Sequence, residues 1–206
     1  MEAHWKALLQ IFSYLKGTAH YGLDYVRTQD VEKLQIKTYV DASWASADDR
    51  FSEGGSLVFG MRGVLDFKFG RIKCICRSSH ESELMQASKT ATSLKAVAKI
   101  FIGLGYNQVL REKSSRLFPI TMLCDNEGAI ATAENDMITT RTKHVDIADL
   151  YIKQAVQDKF IMMEKVPTKE NPADLMTKPL PGKWFKGWYH SSTPLGGRWT
   201  TARQTP

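Results

Sequence analysis

Four carboxylates stand where chemistry could be done. Asp41 closes the run KTYV and Asp125 closes TMLC, two short segments with strand character. Aspartate is a poor strand residue, so each marks a place where a strand gives way to a loop. Such an acid is rigidly held yet opens toward solvent, although it can equally cap the following turn. Glu83 lies in the first turns of a long helix, and Asp174 just inside a short one begun by Asn171-Pro172. Two strand-end acids and two acids in first helical turns can converge at one edge of a sheet. Packed together, they would repel and raise one another's pKa unless cations neutralised them. Hard divalent ions with oxygen ligands meet that need, magnesium being the natural choice and manganese a substitute. A pair of such ions about 4 Å apart can activate a water and stabilise the leaving oxygen in phosphodiester cleavage.

The elements that must position these acids are legible in order. Leu34, Ile36, Thr38 and Val40 alternate with Gln35, Lys37 and Tyr39, the period of a half-buried strand. A polar loop over 46–52 and Gly54-Gly55 lead to a second strand, Ser56 to Met61, which turns at Arg62-Gly63. Val64 to Phe69 and Ile72 to Arg77 read as one long third strand with a bulge at Gly70. The tight glycine turns predict an antiparallel meander. Ser78-Ser79 opens the longest helix, to about Leu104, with Ser78 and Glu81 spaced as a capping box. Leu84, Ala87, Ala91, Leu94, Ala98 and Phe101 form its buried stripe. PITMLC is almost wholly apolar, as a central strand covered on both faces should be. A short helix from Asn126 to Glu134, an amphipathic one from Val145 to Asp158 and a fifth strand over 159–166 complete the order.

Composition sets the bounds. The 206 residues suit one domain with extra length at the ends. At 43% hydrophobic and 24% charged the chain can build a core and is not disordered overall. A net charge of +6 favours a polyanionic partner without establishing one. Cys74, Cys76 and Cys124 are odd in number and fit no zinc spacing, so they read as reduced thiols of an intracellular protein, cytoplasm and nucleus not being distinguished. No apolar run reaches the roughly 18 residues of a membrane span, and no signal peptide precedes the first helix. That helix, HWKALLQIFSYLK, carries Trp5, Leu8, Leu9, Phe12 and Leu15 at helical spacing. The expected division is a helix and linker over 1–30, a main domain over 31–182 and a poorly structured tail over 183–206.

Several segments together carry a family resemblance: YVDASWASADDR, SSHESELMQAS, LCDNEGAIA, RTKHVDI and VPTKENPADLMTKPL. In order and spacing they resemble the ribonuclease H domain of copia-type retrotransposon polyproteins, over roughly residues 38 to 180. The opening helix, HWKALLQIFSYLKGTAHYGLDY, resembles the segment that links reverse transcriptase to ribonuclease H in that family. The resemblance implies an α/β ribonuclease H-like fold: a five-stranded mixed sheet, three strands antiparallel and then two parallel, flanked by helices. It also implies two magnesium ions held by Asp41, Glu83, Asp125 and Asp174, and an RNA–DNA hybrid as substrate. Glu81 competes with Glu83, but Glu83 lies beside the buried stripe while Glu81 has a capping role to fill.

Arg141, Lys143 and His144 in RTKHVDI form a positive cluster ahead of a helix, either a solvated helix entrance or, with Asn126, contacts to substrate phosphate near the scissile bond. Two features depart from the family: FKFGRIKCICRSS replaces its Trp- and Lys-rich third strand, and Leu84 stands where an aromatic usually follows the catalytic Glu. No reverse transcriptase catalytic segment is present, so the chain reads as part or remnant of a larger polyprotein. The leading reading is a ribonuclease acting on hybrids. The alternatives are an inactive nucleic-acid-binding remnant, and a structural module whose face of Trp5, Leu8, Phe12 and Leu15 docks a reverse transcriptase.

Overall fold

The strand that carries Asp41 lies at the centre of the molecule. The computed structural model describes residues 2–23, 25, 36–60, 63–105, 119–135, 143–179 and 199–201. In it the sheet is built from β2 (Lys37–Ser43), β3 (Glu53–Gly60), β4 (Gly63–Arg71), β5 (Ile120–Cys124) and β6 (Ile161–Lys165). Their order is β4-β3-β2-β5-β6. The first three form an antiparallel meander, whereas β5 lies parallel to β2 and β6 parallel to β5. This is the five-stranded ribonuclease H-like arrangement expected above.

Because β2 is central, its burial differs from the half-buried alternation read in the sequence. Thr38, Tyr39, Val40, Asp41 and Ala42 are all buried. Nor does the strand stop at Asp41. It pairs onward, Asp41 with Gly55, Ala42 with Gly54 and Ser43 with Glu53. The two glycines opposite leave room for neighbours outside the ladder, Gly54 for the Gln86 side chain and Gly55 for Met176 and Thr177.

One face of the sheet is covered by α2 (Ser79–Gly103), whose Leu84, Ala87, Ala91, Leu94, Ala98 and Phe101 pack with Val40, Val58 and Met122 in the main core. The small residues in that stripe bring the helix close to the strands. The helix α4 (Lys143–Gln157) adds Ile152 and Ala155 to the same core. Full burial of a side chain such as Leu94 or Ile152 contributes about 1.5–3 kcal/mol. The opposite face holds a smaller cluster, Tyr39, Leu57, Phe59, Val64, Val166 and Ala173.

The third strand is shorter than its sequence suggests. β4 ends at Arg71, paired with Glu53, the first residue of β3. Beyond that point no partner strand remains. Ile72 instead donates its N–H to the Ser52 carbonyl (2.8 Å), and the Trp44 indole donates to the Cys76 carbonyl (2.8 Å). Ile72 and Cys76 turn inward against Ala42. The irregularity in this hairpin falls between Val58 and Phe59, not at Gly70.

The first helix, α1 (Glu2–Gly17), has no buried residue. Trp5, Phe12 and Leu15 are each more than half exposed. It is followed by β1 (Tyr21–Leu23), which pairs antiparallel with β7 (Trp199–Thr201), a short strand within the region expected to be unstructured. Arg141 lies outside the described residues. Among the described residues, no helix is long and apolar enough to cross a membrane.

Candidate active site

The site forms where β2 runs on after β5 has left it. The last parallel pair is Tyr39 with Leu123, so Val40 and Ala42 lie beyond the reach of β5. Their backbone groups are taken by side chains from elsewhere. The Val40 carbonyl accepts from Asn171 Nδ2 (2.9 Å). The Ala42 N–H donates to Glu83 Oε1 (3.0 Å). These two bonds draw the start of α2 and the chain before α5 (Asp174–Thr177) onto the strand that carries Asp41.

The helix α5 rests directly on Gly55. A β-carbon at Gly55 would lie 2.4 Å from Met176 Cβ and 3.1 Å from Thr177 Cγ2, so only glycine permits this approach. From there the Thr177 hydroxyl donates to Asp41 Oδ2. The Lys178 ammonium lies 2.6 Å from Asp174 Oδ1 and 3.4 Å from Asp41 Oδ1. Asp41 therefore does not cap the turn that follows it; its carboxylate is gripped from across the sheet.

Glu83 is the acid that α2 contributes. Ser78 caps the helix by accepting from the Glu81 N–H (3.2 Å), and Glu81 reaches back to the Arg77 N–H (2.7 Å). This is the expected capping box closed one residue early. It occupies Glu81 and leaves Glu83 facing the strands. On the far side, Asp125 follows β5, and Asn126 caps α3 (Glu127–Glu134) by accepting from the Ala129 N–H (3.1 Å). Carboxylate oxygens of Glu83 and Asp125 and the Cys124 sulfur lie within 4.8 Å of one another.

Electrostatics ties the four acids into one cluster. Burial, reinforced by the negative charge of Asp41 and, less, of Asp125, pushes Glu83 up to about 8, against the opposing Ala42 hydrogen bond and Lys178 charge. Glu83 thus holds a proton at neutral pH while no cation is bound. Burial also raises Asp174, the charges of Asp41 and Asp125 adding to it despite the bond from Lys178. For Lys178 burial works the other way, but the hydrogen bond to Asp174 and the two carboxylate charges outweigh it and raise its pKa. Burial and Glu83 together raise the Cys124 thiol, keeping it protonated and a poor ligand. What remains is a set of hard oxygen donors with surplus negative charge, which fits a divalent cation of the magnesium type better than a soft one.

Sequence reasoning named the four acids that the fold brings together. It missed the residues that hold them: Asn171, Thr177 and Lys178. Only the i, i+4 spacing of Asp174 and Lys178 hinted at one of these contacts. Of the expected substrate contacts, Asn126 has a capping role, while Lys143 begins α4 and His144 follows it.

No family model matches the chain. It is 30% identical over 184 residues, 89% of its length, to the retrovirus-related Pol polyprotein from transposon TNT 1-94 of Nicotiana tabacum. It is 28% identical over 188 residues, 91% of its length, to the corresponding polyprotein from transposon RE1 of Arabidopsis thaliana. The chain spans 13% and 12% of those proteins. Among solved structures it is similar to LC11-RNase H1 in complex with RNA/DNA hybrid, at 10% identity and a TM-score of 0.49, over 69% of this chain and 93% of that one. It is also similar to the N-terminal RNase H domain of rv2228c from Mycobacterium tuberculosis, at 17% identity and a TM-score of 0.44, over 75% of this chain and 99% of that one.

Proposed function

Because this chain is a relative of the retrovirus-related Pol polyproteins of plant transposons and has a ribonuclease H-like fold, we propose that it hydrolyses the RNA strand of RNA–DNA hybrids. The observation that carries this reading is the convergence of Asp41, Glu83, Asp125 and Asp174 from four elements onto the free end of β2. Magnesium, or manganese in its place, would be held by these four acids and supply an activated water together with charge stabilisation of the leaving oxygen. Asp41, within β2, and Asp125, directly after β5, would be the principal ligands. Glu83 would complete the shell and orient water, its proton passing to solvent when the ion binds. Asp174 would bind the more exchangeable of the two ions.

Recognition of the hybrid falls to its backbone and 2′-hydroxyls, so sequence preference is low. Arg141, two residues ahead of α4 in the sequence, and Lys143 and His144, its first two residues, supply phosphate contacts on this reading. The test is cleavage of an end-labelled hybrid with magnesium, for the wild type and Asp125→Asn. Magnesium-dependent cutting of the RNA strand should fall by at least about a hundredfold in the variant, in line with the loss of a group acting at the transition state. Full activity in Asp125→Asn, or equal cutting of duplex DNA, would overturn the assignment.

The wholly exposed α1 favours a second role beside this one. Trp5, Leu8, Phe12 and Leu15 offer an apolar face of the kind that docks a neighbouring domain, here a reverse transcriptase. Deleting residues 1–17, the α1 helix alone, should leave stability and hybrid cleavage intact; a large loss of stability would show that the helix serves the domain itself.

A further inference from the structure

Lys178 sits inside the acidic cluster. Its backbone N–H closes α5 on the Asp174 carbonyl (3.0 Å), and its ammonium lies between Asp174 Oδ1 and Asp41 Oδ1, at 2.6 and 3.4 Å. The Asp41 side chain is 2% exposed. A buried carboxylate without a counter-charge costs several kcal/mol, and among the described residues Lys178 is the cation in ion-pair contact with it. The ammonium is not locked in place. Its side chain is 36% exposed, and a flexible four-carbon stem joins it to the helix.

A divalent ion of the magnesium type binds carboxylate oxygen at about 2.0–2.1 Å, closer than either ammonium contact. An ion bound to these two oxygens would therefore compete with the ammonium for the same acceptors. We propose that Lys178 is a built-in competitor for the divalent cation: its single positive charge offsets part of the charge of Asp41 and Asp174 in the metal-free protein, and it swings out to solvent when an ion binds between them. The proposal rests on the reading of these acids as metal ligands. It adds that the apparent metal affinity is the intrinsic affinity reduced by the hold of Lys178 on the same oxygens, since a ligand shifts an equilibrium only by its preference between two states. It also gives the chain a means of keeping the site assembled before any ion arrives.

The experiment is Mn²⁺ binding, by calorimetry and by electron paramagnetic resonance, to the wild type, Lys178→Met, Lys178→Arg and Lys169→Met. Methionine keeps the stem and removes the charge. Lys169→Met removes an equal charge from an exposed position on the neighbouring turn. Lys178→Met should bind Mn²⁺ about three- to tenfold more tightly, the range set by a partly buried ion pair. Lys178→Arg and Lys169→Met should stay within about twofold of the wild type. In EDTA, Lys178→Met should melt earlier and gain more from added Mn²⁺. Nitrogen-15 resonances of lysine ammonium groups test the same idea in the unaltered protein, where the Lys178 signal should shift as Mg²⁺ is titrated. Equal Mn²⁺ binding by Lys178→Met and the wild type would overturn the competition while leaving the metal site in place. So would an equal gain from Lys169→Met, or a Lys178 resonance unmoved at saturating Mg²⁺. If no protein binds Mn²⁺ at all, the metal-site reading falls and the proposal with it.

Discussion

Glu83→Gln should make the metal-free protein less sensitive to alkali. Glu83 is 4% exposed, and burial with the neighbouring Asp41 raises it from 4.5 to about 8. Between those values the folded protein holds a proton that the unfolded chain has released, so stability falls as pH rises, by up to ~1.4 kcal/mol per pH unit from this one group. Below the lower value the contribution is fully present; above the upper one it is gone. From pH 6 to pH 8 the loss is on the order of 2 kcal/mol, about 4–8 °C in melting temperature for a chain of this size. Glutamine keeps an oxygen for the Ala42 N–H and carries no ionisable proton. Urea unfolding in EDTA at pH 6, 7, 8 and 9 is the assay. The wild type should lose stability across the series relative to Glu83→Gln, and by pH 9 the variant should equal or exceed it. Parallel curves would show that Glu83 is ionised in the metal-free site and that the burial argument is wrong. Added Mg²⁺ should reverse the wild-type trend, because the ion takes the deprotonated carboxylate.

Two further substitutions probe how the site is assembled. Gly55→Ala puts a methyl 2.4 Å from Met176 Cβ and should cost about 1–3 kcal/mol by chemical denaturation, with hybrid cleavage falling further than stability accounts for because α5 is lifted from Asp41. Asn171→Ala removes the 2.9 Å bond to the Val40 carbonyl and should cost about 1–3 kcal/mol, with faster amide exchange at Ala173, whose N–H donates to the Asn171 side chain.

What could be read from the sequence was local. The α2 stripe from Leu84 to Phe101, its Ser78 cap and the apolar β5 followed by Asp125 all depend on neighbours within a turn or a strand. The misreadings arose where distant partners decide. β2 passes Asp41 because β3 still pairs with it there, through Gly55 and Gly54, and β4 stops at Arg71 because β3 has no residue left to pair. The face of β2 that meets Tyr39 is buried by Ala173 and Val166, which no alternation within KTYVDAS reveals. The four acids were found by type and by family resemblance. Their fastenings at Asn171, Thr177 and Lys178 were not, since a threonine bonding an aspartate 136 residues away leaves no mark on either segment.

That separation bears on how the protein comes into being. During synthesis Asp41 precedes its partners Asn171, Thr177 and Lys178 by more than a hundred residues. The sheet and α2 can condense through their own apolar contacts in the interval, while the contacts of Asp41 with Thr177 and Lys178 are still to be made. Closing a loop of that length costs little more than closing one of half the size, but it is slow compared with local pairing. The acidic centre can therefore be completed only after α5 has been made, and a chain cut before Asn171 would never complete the cluster.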